Sequence, residues 1–154
     1  MATLELVNFK QLGSAIEQAN ISDIVGVGGS NEQSDVLLIQ ALFHLVGFSE
    51  FFARKFFGVG RTELPEPTGN FDAKTIQAIW GFQRRMAHRL LNVDGKIHPG
   101  NYNKRMIKDI RGRLMTITLL NLLAVDGALS NFSTEVIPAL KQVAPQLMLI
   151  RVAP

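Results

Sequence analysis

The sequence predicts a mainly helical protein. It reads as a small three-helix module with an extra helix before it and a C-terminal segment able to add short β-strands. Three observations carry this. Apolar residues step by three or four through residues 36–46 and again through residues 76–90, which places them on one helical face. Residues suited to helix ends flank both windows: Ser34 or Asp35 and Gly47 around the first, Asp72 before the second. A turn signal, Gly-x-Phe/Ile ahead of a helix start, occurs at Gly69-Asn70-Phe71-Asp72 and again 26 residues later at Gly95-Lys96-Ile97-His98.

Taken in order, residues 1–33 form a lead-in. Leu12, Ile16 and Ala19 recur at helical spacing and predict the extra helix. Gly26, Gly28 and Gly29 then mark a loop. A phosphate loop would need a following Lys-Ser/Thr and a preceding apolar strand, and neither is present. The first module helix carries Val36, Ile39, Leu42/Phe43 and Val46, and Gly47 ends it. Residues 49–67 are an insertion that begins apolar and basic and ends acidic and proline-rich. Phe51, Phe52, Phe56 and Phe57 fall within seven residues there. Two adjacent pairs cannot all face inward from one short helix, so some rings cover a neighbouring element or a partner.

Asp72 caps a helix starting at Ala73, with Ile76, Ile79, Phe82, Met86 and Leu90 as its stripe. After the second turn, Pro99 suits a first helical position, and Tyr102, Met106 and Ile110 begin another stripe. The module thus runs over 34–113. In the extension, 114–154, residues 114–120 read equally as a strand or as a helix continuing from Met106. Asp126-Gly127 signals a turn. Ser133 or Thr134 caps a short helix over 135–143, and residues 146–152 read as a strand. This extension either packs on the module or serves assembly, and packing is the expected outcome.

Composition narrows the function. The 154 residues are 47% hydrophobic and contain no cysteine, which excludes a disulfide scaffold, a thiolate metal cluster and a cysteine nucleophile. The most apolar run, residues 114–125, is interrupted by Thr116, Thr118 and Asn121 and is too short for a membrane span. The net charge of +3 divides unevenly: −4 over residues 1–83, +7 over 84–113 and zero beyond. Such a basic block suits an anionic partner or a solvated helix face. Tyr102 is its one aromatic, too few for a single-strand stacking platform, so nucleic acid is a weak reading.

No catalytic constellation is legible. His44, His88 and His98 do not form His-x-x-x-His or His-Glu-x-x-His, and no Gly-x-Ser-x-Gly elbow occurs. His98 with Asp94 reads as a turn pair, and Glu63 and Glu66 as solvated linker acids. No cofactor and no metal are expected.

Three ordered blocks carry a family resemblance. They are Asp35-Val36-Leu37-Leu38-Ile39-Gln40-Ala41-Leu42-Phe43-His44-Leu45-Val46-Gly47, then Thr68-Gly69-Asn70-Phe71-Asp72-Ala73-Lys74-Thr75-Ile76-Gln77-Ala78-Ile79-Trp80-Gly81-Phe82-Gln83, then Val93-Asp94-Gly95-Lys96-Ile97-His98-Pro99-Gly100. Over residues 34–107 the chain resembles the small helical peptidoglycan-binding domains of bacterial and phage wall hydrolases. Thr68, Asp72 and His98 depart from the family's Asp, Gly and Gly, and the family's next Thr corresponds to Asn101 or Asn103.

The resemblance implies a non-catalytic binding protein for peptidoglycan or its fragments, with a groove between the module helices. Its ligand-binding candidates are Phe71, Trp80, Arg84, Asp94, Lys96, His98 and Tyr102, while Gly69, Thr75, Phe82, Gln83, Gly95 and Pro99 are scaffold. The N-terminus shows no secretory signal. This implies a phage-lysis or secretion-system accessory, held in the bacterial cytoplasm until an unconventional export takes it to the periplasm or wall. The rival readings are a protein-interaction module using 49–67 or 114–154, and a small wall-lytic enzyme.

Overall fold

The computed structural model describes residues 1–9, 14–100, 112–132 and 135–151. It is mainly helical, with α1 (Gln33–Val46), α2 (Glu50–Phe57), α3 (Ala73–Arg85), α4 (Thr116–Phe132) and α5 (Val136–Val143). A three-stranded sheet joins β1 (Thr3–Phe9), β2 (Ser14–Asn20) and β5 (Ile150–Arg151), and a two-residue pair joins β3 (Val25–Gly26) to β4 (Lys96–Ile97).

α1 is the hub. From Asp35 to Val46 every residue but His44 is buried. A helix apolar on all sides must be covered on all sides, and α2, α4 and α5 each pack against it. The expected stripe of Val36, Ile39, Leu42/Phe43 and Val46 is therefore only part of a fully buried surface. Its N-cap is Glu32, whose carboxylate accepts from Ser34 N–H, rather than Ser34 or Asp35. Asp35 is instead drawn inward. It accepts from Ser22 N–H at 2.9 Å, Ser22 Oγ–H at 2.7 Å and Asp23 N–H at 3.0 Å, which satisfies a fully buried carboxylate.

The extra N-terminal helix does not form. β1 and β2 pair as an antiparallel hairpin from Thr3↔Asn20 to Phe9↔Ser14, and β5 adds in parallel at Thr3↔Ile150 and Leu4↔Arg151. The reason is tertiary. Asn121 on α4 accepts from Ala19 N–H through Oδ1 and donates to Ala19 C=O through Nδ2, both at 2.9 Å, so helix α4 clamps the backbone of β2. Three apolar residues at helical spacing do not outweigh pairing with two other segments.

The insertion folds as α2 and a short 3-10 turn, Arg61–Glu63. Phe56 and Phe57 are buried, Phe52 is half-buried and Phe51 is 67% exposed, so the four rings do divide between core and surface. Phe57 lies between Phe43 and Phe82, with ring centroids 5.0 and 5.5 Å away.

α3 starts at Ala73 as expected. Asp72 Oδ1 accepts from Thr75 N–H at 2.8 Å and from its hydroxyl at 2.6 Å. The helix expected from Tyr102 through Ile110 lies outside the described residues. Leu114 forms an isolated bridge with Leu90, and α4 begins two residues later, so residues 114–120 open a helix and not a strand. Asp126-Gly127 is not a turn but lies inside α4. Glu135 is the N-cap position of α5 and makes no side-chain cap hydrogen bond, while Ser133 and Thr134 lie outside the described residues. Of the strand expected over 146–152, residues 146–149 are not strand, Ile150–Arg151 is, and Val152 lies outside the described residues. α4 and α5 both pack on α1, and one hydrophobic core runs from Ala2 to Leu147. Among the described residues, no helix is long and apolar enough to cross a membrane.

Candidate functional site

Two buried glutamines build the scaffold of the site in the same way. Gln40 on α1 accepts through Oε1 from Thr68 N–H at 3.0 Å and Gly69 N–H at 2.8 Å. Through Nε2 it donates to Asn70 C=O at 2.8 Å and Thr75 Oγ1 at 3.0 Å. Gln83 on α3 accepts from Gly95 N–H at 2.8 Å and donates to Lys96 C=O at 2.8 Å and Thr116 Oγ1 at 3.1 Å. Each amide thus grips one glycine turn and one threonine hydroxyl, Thr75 in the first turn of α3 and Thr116 at the start of α4.

The turns match in detail. Gly69 and Gly95 take φ of +83° and +73°, where a side chain is strained. Thr68 Oγ1 accepts from Asn70 N–H at 3.1 Å, and Asp94 Oδ1 accepts from Lys96 N–H at 3.0 Å. Thr68 and Asp94 thus supply the same internal hydrogen bond to their two turns. The hydroxyl opposite Gln83 belongs to Thr116, and Asn101 and Asn103 lie outside the described residues. The chain reaches Gly100, held by Asn20 through Gly100 N–H at 2.8 Å and C=O at 2.7 Å, before returning at Leu114.

The second turn carries the aromatic part of the site. Trp80 is half-buried with its indole against Gly95, where a Cβ would stand 2.5 Å from the ring. The Arg84 guanidinium lies 4.9 Å from the Trp80 ring centroid, a cation–π contact between residues one helical turn apart. Beside this pair is an open cleft of about 530 Å³, lined on one side by Phe57, Gly58 and Val59 and on the other by Gln77, Trp80, Gly81, Arg84 and Arg85. The insertion therefore forms one wall of the cleft and does not plug it.

The remaining candidates sit apart from the cleft lining. Asp94 Oδ2 and His98 Nε2 are 2.9 Å apart on the exposed rim of the second turn. Partial burial pushes the Asp94 carboxyl up. Hydrogen bonds from His98 and the Lys96 N–H, with the attraction of His98, outweigh that and hold it below the ordinary carboxylate range. Lys96 and His98 border a recess with Asn92, Met115 and Thr116, too small for more than a water-sized group. Phe71 is half-buried against the core, and Tyr102 lies outside the described residues. Phe82, Thr75 and Gln83 are fully buried.

Gly58, Val59, Gln77 and Arg85 were not singled out by sequence reading. Arg85 had one signal, its place beside Arg84 at the start of the basic block. Gly81 had another, a glycine in the middle of a helix: a Cβ there would stand 2.1 Å from the Phe57 carbonyl oxygen, so its absence lets α2 and α3 meet. Residues 101–111 of the basic block lie outside the described residues. Among the described residues, no three His, Asp or Glu side chains gather in a group able to hold a metal ion. No protein-family model, no curated protein and no solved structure matches the chain.

Proposed function

We propose that this chain is a non-catalytic binding module for bacterial peptidoglycan, acting at the wall or periplasm after export. One observation carries the reading: the two glycine turns, each gripped by a buried glutamine, occupy the sequence blocks that resemble wall-binding domains. In support, the departures at Thr68 and Asp72 keep the local hydrogen bonds of a turn and a helix cap. An open cleft with Trp80 and Arg84 lies beside the second turn. Cosedimentation with purified sacculi tests the reading. Pelleting at low salt that weakens as salt rises is expected, because cationic side chains near the site favour anionic wall material. No pelleting at low salt overturns it.

A second reading, protein interaction, has its own observation. Phe48, Phe51, Phe52 and Phe56 form a ladder of ring contacts on α2 and the residues before it, with Phe51 67% exposed and Lys55 5.4–6.0 Å from three of the rings. This reading expects concentration-dependent self-association in light scattering that Phe51→Ser abolishes. A scattering mass that stays monomeric at all concentrations removes self-association. Zymography on cell walls addresses the lytic-enzyme reading, where a clearing zone would displace the non-catalytic one.

A further inference from the structure

We infer that the cleft between the end of α2 and α3 is an oxyanion-binding site, with Arg84 and Arg85 as its two cationic jaws and Trp80 as its apolar floor. The ligand class is a carboxylate or phosphate borne next to a sugar ring or aliphatic group. That such a ligand comes from peptidoglycan rests on the proposed function, but the cleft chemistry does not.

The arrangement follows from helical spacing. Arg84 lies one turn after Trp80, and Arg85 one turn after Gly81, so the two guanidinium groups project from neighbouring rows of α3. Arg84 rests over the indole. Arg85 lies across Gly58, where a Cβ would stand 2.5 Å from its Nε and 2.7 Å from a terminal nitrogen. Gly58 has φ of +75°, so glycine serves there twice, turning the chain out of α2 and leaving room for the guanidinium. Gly81 leaves its row empty, and the Phe57 carbonyl fills that gap and brings the α2 wall to its place.

Charge gives the class of ligand. Among the described residues neither Arg84 nor Arg85 is paired with a carboxylate, although Arg54 on the same insertion is paired with Glu50 at 2.8 Å. Two planar guanidinium forks without an acid partner match the two-oxygen geometry of carboxylate and phosphate. The cleft volume of about 530 Å³ suits a ligand the size of a disaccharide or short peptide. The stacked Arg84–Trp80 pair, which lines the cleft, supplies contact for the uncharged part of such a ligand.

The test is an NMR titration of the full chain, wild type and the R84Q and R85Q variants, with three probes. These are a disaccharide–tetrapeptide released from sacculi, the same compound with its carboxylates amidated, and inorganic phosphate. Cosedimentation with sacculi runs in parallel. Both arginines are exposed, so the variants should keep the wild-type circular dichroism and melting temperature. The expected result is shifts centred on the Trp80 indole N–H and the Gly58 and Gly81 amides with the first probe. Binding should weaken at least tenfold on amidation and in each variant. Phosphate shifts at the same amides, lost in the variants and without any binding of sacculi, support the cleft and overturn the peptidoglycan reading. Sacculus binding that is unchanged in both variants, with cleft amides that no probe moves, overturns the cleft and leaves the peptidoglycan reading standing. Cleft amides that none of the three probes moves overturn the inference.

Discussion

Gln83 Nε2 donates to Thr116 Oγ1 at 3.1 Å, and this one hydrogen bond ties α3 to the start of α4 across 33 residues of chain. The same amide holds Gly95 N–H and Lys96 C=O. Gln83→Leu keeps the volume but leaves these buried groups without partners, at about 1–3 kcal/mol for each one orphaned. Thr116→Val removes one of the same contacts. Urea midpoints of the two single variants and the double variant form a cycle, and the double variant should lose less than the sum of the two. Strict additivity would remove the coupling.

Gln40→Leu should act locally on the other turn. Its Oε1 accepts from the Thr68 and Gly69 amides, while the Gly95 amide is held by Gln83. Hydrogen exchange should therefore quicken at Thr68 and Gly69 well beyond any change at Gly95. Equal acceleration at both turns would show that they open together.

Gly127 should resist substitution although it is in mid-helix. Gly→Ala inside a helix ordinarily gains about 1 kcal/mol. Here a Cβ would stand 1.6 Å from the Leu45 carbonyl oxygen, so α4 must move off α1. We expect Gly127→Ala to cost about 1–3 kcal/mol or more through overpacking, read as a lower denaturation midpoint. A gain in stability would contradict the close approach of α1 and α4.

The rings of the insertion should separate by position. Phe57 is 1% exposed between Phe43 and Phe82, and Phe57→Ala should cost about 3–5 kcal/mol. Phe51 is 67% exposed, and Phe51→Ala should fall within about 0.5 kcal/mol of wild type. Paired thermal melts check both.

The pH dependence of the second turn has a definite sign. Asp94 is held below its ordinary value of 3.8, so its ionised form is favoured in the folded protein. Its contribution is present above pH 3.8 and lost as pH falls through the lower folded-state value. Asp94→Asn should flatten the acid limb of the stability curve below about pH 4 and matter less at pH 2 than at pH 6. Chemical denaturation across pH 2–7 reads this directly.

Much of the site's scaffold was legible because its signals are local. Asp72 ahead of Ala73, and glycine at positions 69 and 95, specify a cap and two turns through their own backbone chemistry. The cleft was half legible. Trp80 and Arg84 were among the ligand-binding candidates that the family resemblance implied. Its other wall, Phe57 to Val59, comes from an insertion whose docking depends on the Phe57 ring between Phe43 and Phe82 and on the missing side chain of Gly81.

The sequence by itself determined the helical class, the course of α1 and α3, and the repeated turn, since each rests on the spacing and end chemistry of adjacent residues. Tertiary structure decided the rest. Residues 3–9 and 14–20 pair as strands and not as a helix because β1 finds partners in β2 and β5, and because Asn121 clamps Ala19 from 102 residues away. Helix α4 of the extension begins at Thr116, where Gln83 supplies a buried partner for its hydroxyl. Those choices rest on contacts between distant segments, which no window of neighbouring residues contains.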